Sequence, residues 1–263
     1  MESKQADIYV FSGSGNTFLL AETVAGIFND NNCQAALYPL GRFFAAGPER
    51  VLGVAFPVAC MATYPFIIKF LRGLPPGGGR EVFHIGSMAA NSFGMQEPIR
   101  KLLVNKGYRP IGSRILKMPS NYGKNLNPTS LSNQNIIKEA AVQAANFAGQ
   151  LLTGKSRWEQ TFAPWSGFFH NLAGGEKPWR LFKKIFPLKI NQRYCIKCGF
   201  CRNICPAASI STDKDGGFYI ADTCVSCQHC AAFCPQQAIG IDGESGKAYK
   251  VVEYSHLAET LRQ

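Results

Sequence analysis

The chain has 263 residues, of which 46% are hydrophobic and 17% charged, and its formal net charge is +11. This balance excludes general disorder, and the length favours one α/β domain of about 150 residues plus a smaller module. No nucleic-acid recognition motif accompanies the positive charge, so we expect no nucleic-acid partner. The polar stretch 1–7 lacks the features of a secretory signal, and Pro57 and Pro65 interrupt the uncharged run 51–68. We therefore expect a cytoplasmic chain without a transmembrane span.

The first element is a predicted strand at 8–11, which a glycine-rich loop joins to a predicted helix. Glycines let the backbone close around an anion, and a helix N-terminus adds N–H groups and partial positive charge. Phe18 stands where a dinucleotide motif has its third glycine, and no P-loop lysine follows, so a monophosphate is the favoured ligand. A simple glycine turn is the alternative. The loop residues are Ser12, Gly13, Ser14, Gly15, Asn16 and Thr17.

This S-G-S-G-N-T stretch resembles the phosphate loop of flavodoxins. The resemblance implies an FMN-binding domain with an α/β doubly wound parallel sheet of order 2-1-3-4-5. Further strands are predicted at 34–37, 51–56, 81–86 and 111–118, and helices near 64–71, 95–106 and 134–152. In such a sheet the loops after strands one, three and four meet at one edge, where ligands bind.

The same resemblance implies that the loops 57–64 and 87–94 enclose the isoalloxazine ring of FMN. Met61 or Tyr64 is expected on one side of the ring and Asn91 or Phe93 on the other, although Tyr64 and Phe93 can equally be core aromatics. Cys33 and Cys60 are expected to be structural. Outside the phosphate loop, the predicted cofactor-binding residues are Pro57, Met61, Tyr64, Ser87, Asn91, Phe93 and Gly94.

A connector at 155–189 separates the predicted domains, which span 1–154 and 190–263. We expect this apolar and basic segment to pack against both domains. A surface for peripheral membrane contact or for an electron-transfer partner is the less favoured alternative. Its aromatic residues are Trp158, Phe162, Trp165, Phe168, Phe169, Trp179, Phe182 and Phe186.

Eight of the ten cysteines form two copies of C-x2-C-x2-C-x3-C-P, and the copies are 29 residues apart. At this spacing three cysteines ligate one iron–sulfur cube, and the fourth reaches the other cube. Zinc is a poor alternative, because it prefers two well-spaced pairs of ligands. We predict one cluster on Cys195, Cys198, Cys201 and Cys234, and another on Cys224, Cys227, Cys230 and Cys205.

These cysteines and the residues around them, from about 190 to 252, resemble the bacterial ferredoxins with two 4Fe-4S clusters, which implies a small α+β domain. One departure is Gln228, where the first repeat has Gly199. The neighbouring His229 is not expected to be a ligand, and we expect it on the solvent side of its cluster.

The whole chain resembles the flavodoxin–ferredoxin fusion proteins of anaerobic bacteria and archaea. The resemblance implies a carrier that relays electrons between two 4Fe-4S clusters and FMN, converting one-electron into two-electron transfer. A redox protein is the expected partner, and the basic charge is compatible with an acidic one. The alternative is an FMN-dependent reductase that receives electrons from its own clusters and acts on a small substrate, for which no catalytic residue can be assigned.

Overall fold

The computed structural model describes residues 5–41, 49–122, 126–159, 166–173, 175, 177–214, 216–241, 243 and 248–261. Within these ranges the chain forms a five-stranded sheet covered by helices. Two further helices follow, and then a small region of short strands and short helices. No helix of the described residues is both long and apolar enough to cross a lipid bilayer.

The strands of the large sheet pair in parallel and lie in the order β2-β1-β3-β4-β5. Every residue of β3 is buried, as is typical of a parallel strand with helices on both faces. This order confirms the predicted doubly wound, flavodoxin-like sheet, and each strand overlaps its predicted range. The strands are β1 (Gln5–Val10), β2 (Gln34–Pro39), β3 (Val51–Ala55), β4 (Glu81–Met88) and β5 (Arg109–Lys117).

Helices cover both faces of this sheet. They are α1 (Asn16–Asp30), α2 (Pro65–Gly73), α3 (Gln96–Asn105) and α4 (Leu131–Leu152). Helices α1 and α4 contact each other on one face, and α2 and α3 contact each other on the opposite face. The loops that follow β1, β3 and β4 therefore gather at the carboxyl edge of the sheet.

The connector contains two short helices, α5 (Ser166–Ala173) and α6 (Lys177–Ile185). Helix α5 contacts both α3 and α6, so the helical pair is joined to the sheet domain. Two of the predicted connector aromatics, Phe162 and Trp165, lie outside the described residues.

Side chains of the connector contact both halves of the chain. The indole N–H of Trp158 donates a hydrogen bond of 3.0 Å to the carbonyl oxygen of Gln96, the first residue of α3. The ring of Trp179 is buried, with its centroid 5.1 Å from that of Tyr64. On the other side, the ammonium group of Lys183 donates to the carbonyl oxygen of Ala221 at 3.0 Å. The described part of the connector thus packs between the sheet and the C-terminal region.

The C-terminal region is a small α+β arrangement, as predicted. Strands β6 and β9 pair antiparallel, and so do β7 and β8. Its elements are β6 (Leu188–Ile190), α7 (Phe200–Asn203), β7 (Ile210–Thr212), β8 (Phe218–Ile220), α8 (His229–Ala232), β9 (Ile239–Ile241) and α9 (Tyr254–Thr260).

One hydrophobic core runs across the boundary between the two halves. Phe18 and Val24 of α1 belong to the same buried cluster as Phe233, Val252 and Leu257 of the C-terminal region. Because apolar burial is the main source of favourable packing energy, this shared core fixes the C-terminal region against the sheet domain.

His84 gives the sheet domain a predictable response to acid. It lies within β4, is fully buried, and its ring centroid is 4.4 Å from that of Phe56. Burial lowers its pKa from 6.5 to about 3, and a backbone contact with Phe56 opposes this shift only in part. Between these values the unfolded chain binds the proton and the folded chain does not. The free energy of unfolding should therefore fall as the pH falls, by up to about 1.4 kcal/mol per pH unit.

The measurement is the pH dependence of the unfolding midpoint for the wild type and for His84→Phe. We expect a shallower dependence in His84→Phe, because that side chain cannot bind a proton. The control is His256→Gln, since His256 is about half exposed. An unchanged slope in His84→Phe would show that other groups dominate acid unfolding.

Candidate functional site

The loop 12–17 runs directly from β1 into α1, and all six of its residues are buried. Gly15 has a φ of +99°, a left-handed conformation that glycine adopts without steric cost. Its N–H donates to the hydroxyl oxygen of Ser12 at 3.0 Å. The hydroxyl groups of Thr17 and Ser87 are 2.8 Å apart, which joins the loop to the end of β4.

The first turn of α1 has backbone donors without a capping group. Its N-cap is Gly15, which makes no side-chain capping bond. The N–H groups of Asn16, Thr17 and Phe18 donate to no atom of the described residues, and all three residues are buried. Buried, unpaired N–H groups are rare in native proteins, and a helix N-terminus attracts anions. This set of donors therefore fits a phosphate group.

Asn16 is fixed from two directions. Its side-chain amide donates to the carbonyl oxygen of Pro119, and its Oδ1 accepts a hydrogen bond from the hydroxyl of Tyr249, both at 2.8 Å. Burial raises the pKa of Tyr249, so this hydroxyl remains a donor. The role of Tyr249 could not be predicted from the sequence, because no motif links this C-terminal residue to the loop.

The loops after β3 and β4 lie side by side at the same edge of the sheet. The N–H of Val58 donates to the carbonyl oxygen of Ser87 at 2.8 Å. Ala59 and Ala62 exchange backbone hydrogen bonds of 3.0 and 2.9 Å and close a tight turn, which places the half-buried Met61 at its tip. The φ of +62° at Met61 follows from this turn.

The loop after β4 turns at residues 91–94. The side-chain oxygen of Asn91 accepts a hydrogen bond of 2.7 Å from the N–H of Phe93. Asn91 is exposed and Phe93 is 40% exposed, whereas Gly94 is buried with a φ of +69°. Pro57 is half-buried in the neighbouring loop. The exposed side chains of Asn91 and Phe93 are accessible to a planar group at this edge of the sheet.

Tyr64 is located in the core and not at this edge. Its ring stacks on Phe66, with centroids 5.4 Å apart, and the Trp179 centroid is 5.1 Å away. Its hydroxyl group is 3.4 Å from that of Tyr122, and burial raises the pKa of Tyr64. Because neighbouring rings already cover Tyr64, the structure favours a packing role over a contact with a flavin ring.

The two cysteine runs share one backbone conformation. Residues with left-handed φ values recur 29 positions apart in the two copies. The pairs, with their φ values, are Lys197 (56°) and Ser226 (50°), Gly199 (76°) and Gln228 (65°), and Ala208 (48°) and Gln237 (48°). Gln228 thus keeps the conformation that its glycine counterpart adopts more easily.

The predicted first set of cysteines lies together. Burial, together with the neighbouring sulfur atoms of Cys234, Cys195 and Cys198, raises the pKa of the Cys201 thiol to about 11. Cys198 is exposed and Cys195 is half-buried, so this set is close to solvent. The N–H of Ala238 donates to Cys234 Sγ at 3.3 Å.

The predicted second set lines one cavity. Its other walls are apolar, and they include Leu188, Ile210, Ile220 and Val225. Among the described residues no three His, Cys, Asp or Glu side chains lie close enough together to hold a single metal ion. A 4Fe-4S cube is ligated at its corners and instead requires thiolates around a cavity. The four cysteines of this cavity are Cys205, Cys224, Cys227 and Cys230.

The second set is more deeply buried than the first. Burial raises the pKa of both Cys227 and Cys230, so neither thiol would ionise without a metal ion bound to its sulfur. Two backbone N–H groups point at sulfur atoms: that of Ser209 at Cys205 (3.3 Å) and that of Ser226 at Cys224 (3.4 Å). The cavity therefore provides the chemistry of a buried iron–sulfur site.

The second cysteine set lies directly against the loop 12–17. Gly13 packs so closely on the carbonyl group of Cys227 that an added Cβ atom would overlap its oxygen. On the other side of the loop, the N–H of Val251 donates to the carbonyl oxygen of Ser14 at 3.0 Å. The two candidate cofactor sites are thus adjacent parts of one interface.

His229 lies in this interface and not on the solvent side of a cluster, where we expected it. Its Nδ1 donates to the carbonyl oxygen of Ser12 at 2.9 Å, and its ring packs near Phe11 and Phe233. Burial lowers its pKa to about 4, which keeps the imidazole neutral near pH 7. The expectation was wrong because the sequence does not indicate how the two halves pack.

Comparison with known proteins identifies the cysteine-rich region. Residues 194–239 match the family model described as the 4Fe-4S dicluster domain. The chain therefore contains an iron–sulfur domain of this type. None of the curated proteins compared matches the chain.

Solved structures resemble the N-terminal part only distantly. A short-chain flavodoxin associated with a non-canonical PDU bacterial microcompartment is 14% identical, with a TM-score of 0.42, and the match covers 59% of this chain and 100% of that one. Oxidised flavodoxin 2 from Bacillus cereus is 16% identical over 57% of this chain and 98% of that one, with a TM-score of 0.38. Rubredoxin oxygen:oxidoreductase from Desulfovibrio gigas is 17% identical over 59% of this chain and 39% of that one, with a TM-score of 0.38. The flavodoxin-like assignment therefore rests on the strand order of the sheet.

Proposed function

We propose that this protein is an intracellular electron carrier that binds FMN and two 4Fe-4S clusters and relays electrons between them for a redox protein partner. The observation that carries this proposal is the packing of Gly13, in the candidate phosphate loop, on the carbonyl group of Cys227. In this division of the chain, residues 1–154 bind FMN, residues 155–189 connect, and residues 190–263 bind the clusters.

The residues have separate tasks in this proposal. Backbone donors of the loop 12–17 hold the phosphate of FMN, and Met61, Asn91 and Phe93 lie beside its ring. The two cysteine sets hold the clusters, with the exposed set outermost and the buried set against the loop. When bound, iron–sulfur clusters exchange single electrons and FMN exchanges one or two, so a chain that holds both can convert between these kinds of transfer.

The chain keeps the two sites together by contacts on three sides of the loop. His229 bonds to Ser12, Val251 bonds to Ser14, and Tyr249 bonds to Asn16. The connector is bonded to the C-terminal region as well, because the hydroxyl group of Ser226 donates to the carbonyl oxygen of Phe186 at 2.9 Å. These bonds join residues far apart in the sequence, so they oppose separation of the two halves and favour transfer within one chain.

The experiment is a rapid-mixing measurement on protein purified without oxygen. The protein is mixed with less than one reducing equivalent of dithionite, and the absorbance of the clusters and of the flavin is followed. We expect electrons to redistribute between clusters and flavin at a rate that does not depend on protein concentration. A rate proportional to protein concentration would show transfer between chains and contradict the proposal.

A further inference from the structure

The two cysteine repeats have the same backbone conformation but opposite surroundings. Val225 and Ser226 of the second repeat are buried, and Val225 belongs to the same hydrophobic cluster as Tyr64 and Trp179. Their counterparts 29 residues earlier are Ile196, which is 61% exposed, and Lys197, which is also exposed. The first repeat thus presents to solvent the surface that the second repeat buries inside the chain.

The charge of this surface differs between the two repeats. Residues 193–202 contain three basic side chains and no acidic one, whereas residues 222–231 contain one acidic side chain and no lysine or arginine. The acidic one, Asp222, is exposed and bonds to Lys183 of α6 at 2.9 Å, at the edge of the contact between the connector and the C-terminal region. The counterpart of Asp222 in the first repeat is Arg193, where the sign of the charge is reversed. A partner that makes the equivalent contact at the first repeat must therefore provide an acidic group opposite Arg193.

We infer that the face formed by residues 193–202 is the docking surface for an acidic, one-electron carrier protein. This inference rests on the proposed electron-relay function. Tyr194 and Ile196, which are 56% and 61% exposed, provide the apolar centre of the surface. The exposed side chains of Arg193, Lys197 and Arg202 provide its basic rim.

The position of the outer cysteines supports this surface as the entry point. Cys198 is exposed and lies within the face, whereas Cys227, its counterpart, is buried against the loop 12–17. An external carrier docked here would contact the first cluster at its ligands. The arrangement would repeat, between two proteins, the contact that Cys227 makes with the loop 12–17 of the sheet domain.

The test is a charge reversal in the full-length protein with its clusters bound. The variant combines Arg193→Glu, Lys197→Glu and Arg202→Glu. The probe is an acidic plant-type ferredoxin in its reduced state, and rapid mixing measures the second-order rate constant for reduction of the clusters. At low ionic strength we expect this rate constant to fall by about tenfold or more, because the attraction between the basic face and the acidic ferredoxin becomes a repulsion. The difference should shrink as salt is added.

The matched control changes the net charge by the same amount elsewhere. It combines Lys69→Glu, Lys138→Glu and Lys155→Glu, all at exposed positions of the sheet domain or next to it. We expect its rate constant to remain close to that of the wild type. An equal loss of rate in both triple variants, or no loss in the first, would overturn the inference.

Dithionite separates this inference from the relay itself. It is a small reductant that needs no protein docking surface, so it should reduce the clusters and flavin of both triple variants as it reduces those of the wild type. If electrons from dithionite fail to pass between clusters and flavin in the wild type, the proposed function fails, whatever the ferredoxin experiment shows. If dithionite succeeds and the ferredoxin rates are insensitive to the charge reversal, only the docking surface is wrong.

Discussion

Replacing Gly13 with valine should weaken the binding of FMN while both clusters remain. A side chain at this position would overlap the carbonyl oxygen of Cys227, so either the loop or the C-terminal region must shift. A shift of the loop would misplace the buried N–H groups of Asn16 and Thr17. Overpacking of this kind costs about 1–3 kcal/mol, which corresponds to FMN binding weaker by about 5- to 150-fold. The measurements are a flavin-binding titration of the variant and a determination of its iron content.

The control for this substitution lies in the helix that follows the loop. Gly26, within α1, is exposed, and a Cβ atom added there would meet no other atom within 4 Å. Gly26→Ala should therefore bind FMN as the wild type does, and should be slightly more stable because alanine favours a helix interior. Retention of wild-type FMN affinity in Gly13→Val would mean that the loop 12–17 does not bind the phosphate.

Replacing Cys227 with serine should disconnect the flavin from the remaining cluster. Cys227 lines the buried cavity and packs on the loop 12–17, so in the proposed arrangement its loss removes the cluster nearest the flavin. Iron content should fall by about half, because each cube needs four thiolates. The concentration-independent redistribution of electrons should disappear, although dithionite should still reduce the flavin directly.

Two further cysteine variants define the order of the clusters. Cys198→Ser should also lose about half of the iron, but it should keep rapid exchange between the buried cluster and the flavin, because its set is the exposed one. Cys60→Ser is the control, since Cys60 belongs to neither set. Rapid exchange that survives in Cys227→Ser and fails in Cys198→Ser would reverse the assigned order.

Local sequence patterns were sufficient to predict the strands and helices and to point to much of the candidate site. The alternation of strands and helices predicted a doubly wound parallel sheet, and the strand order followed from the resemblance of the loop 12–17 to that of flavodoxins. The glycine loop was placed correctly at the junction of β1 and α1, although Asn16 and Thr17 already belong to the helix. The 29-residue repeat likewise predicted two equivalent cysteine runs, and the paired φ values of Lys197 and Ser226 show that they share one conformation.

The contacts between the halves could not be predicted in this way. Tyr64 occupies the core because Trp179, more than one hundred residues later, covers its ring. His229 faces Ser12, and Tyr249 holds Asn16, through contacts that join distant segments. Such contacts leave no periodic signal in a single sequence. They depend on the packing of complete surfaces.

The most direct measurement is the cofactor content of the protein purified without oxygen. Iron, acid-labile sulfide and released flavin are determined for each chain. The proposed arrangement predicts about eight irons, about eight sulfides and about one FMN per chain, since two cubes and one flavin are bound. A full complement of iron without flavin would contradict it, and would mean that the buried donors at the start of α1 bind a different anion.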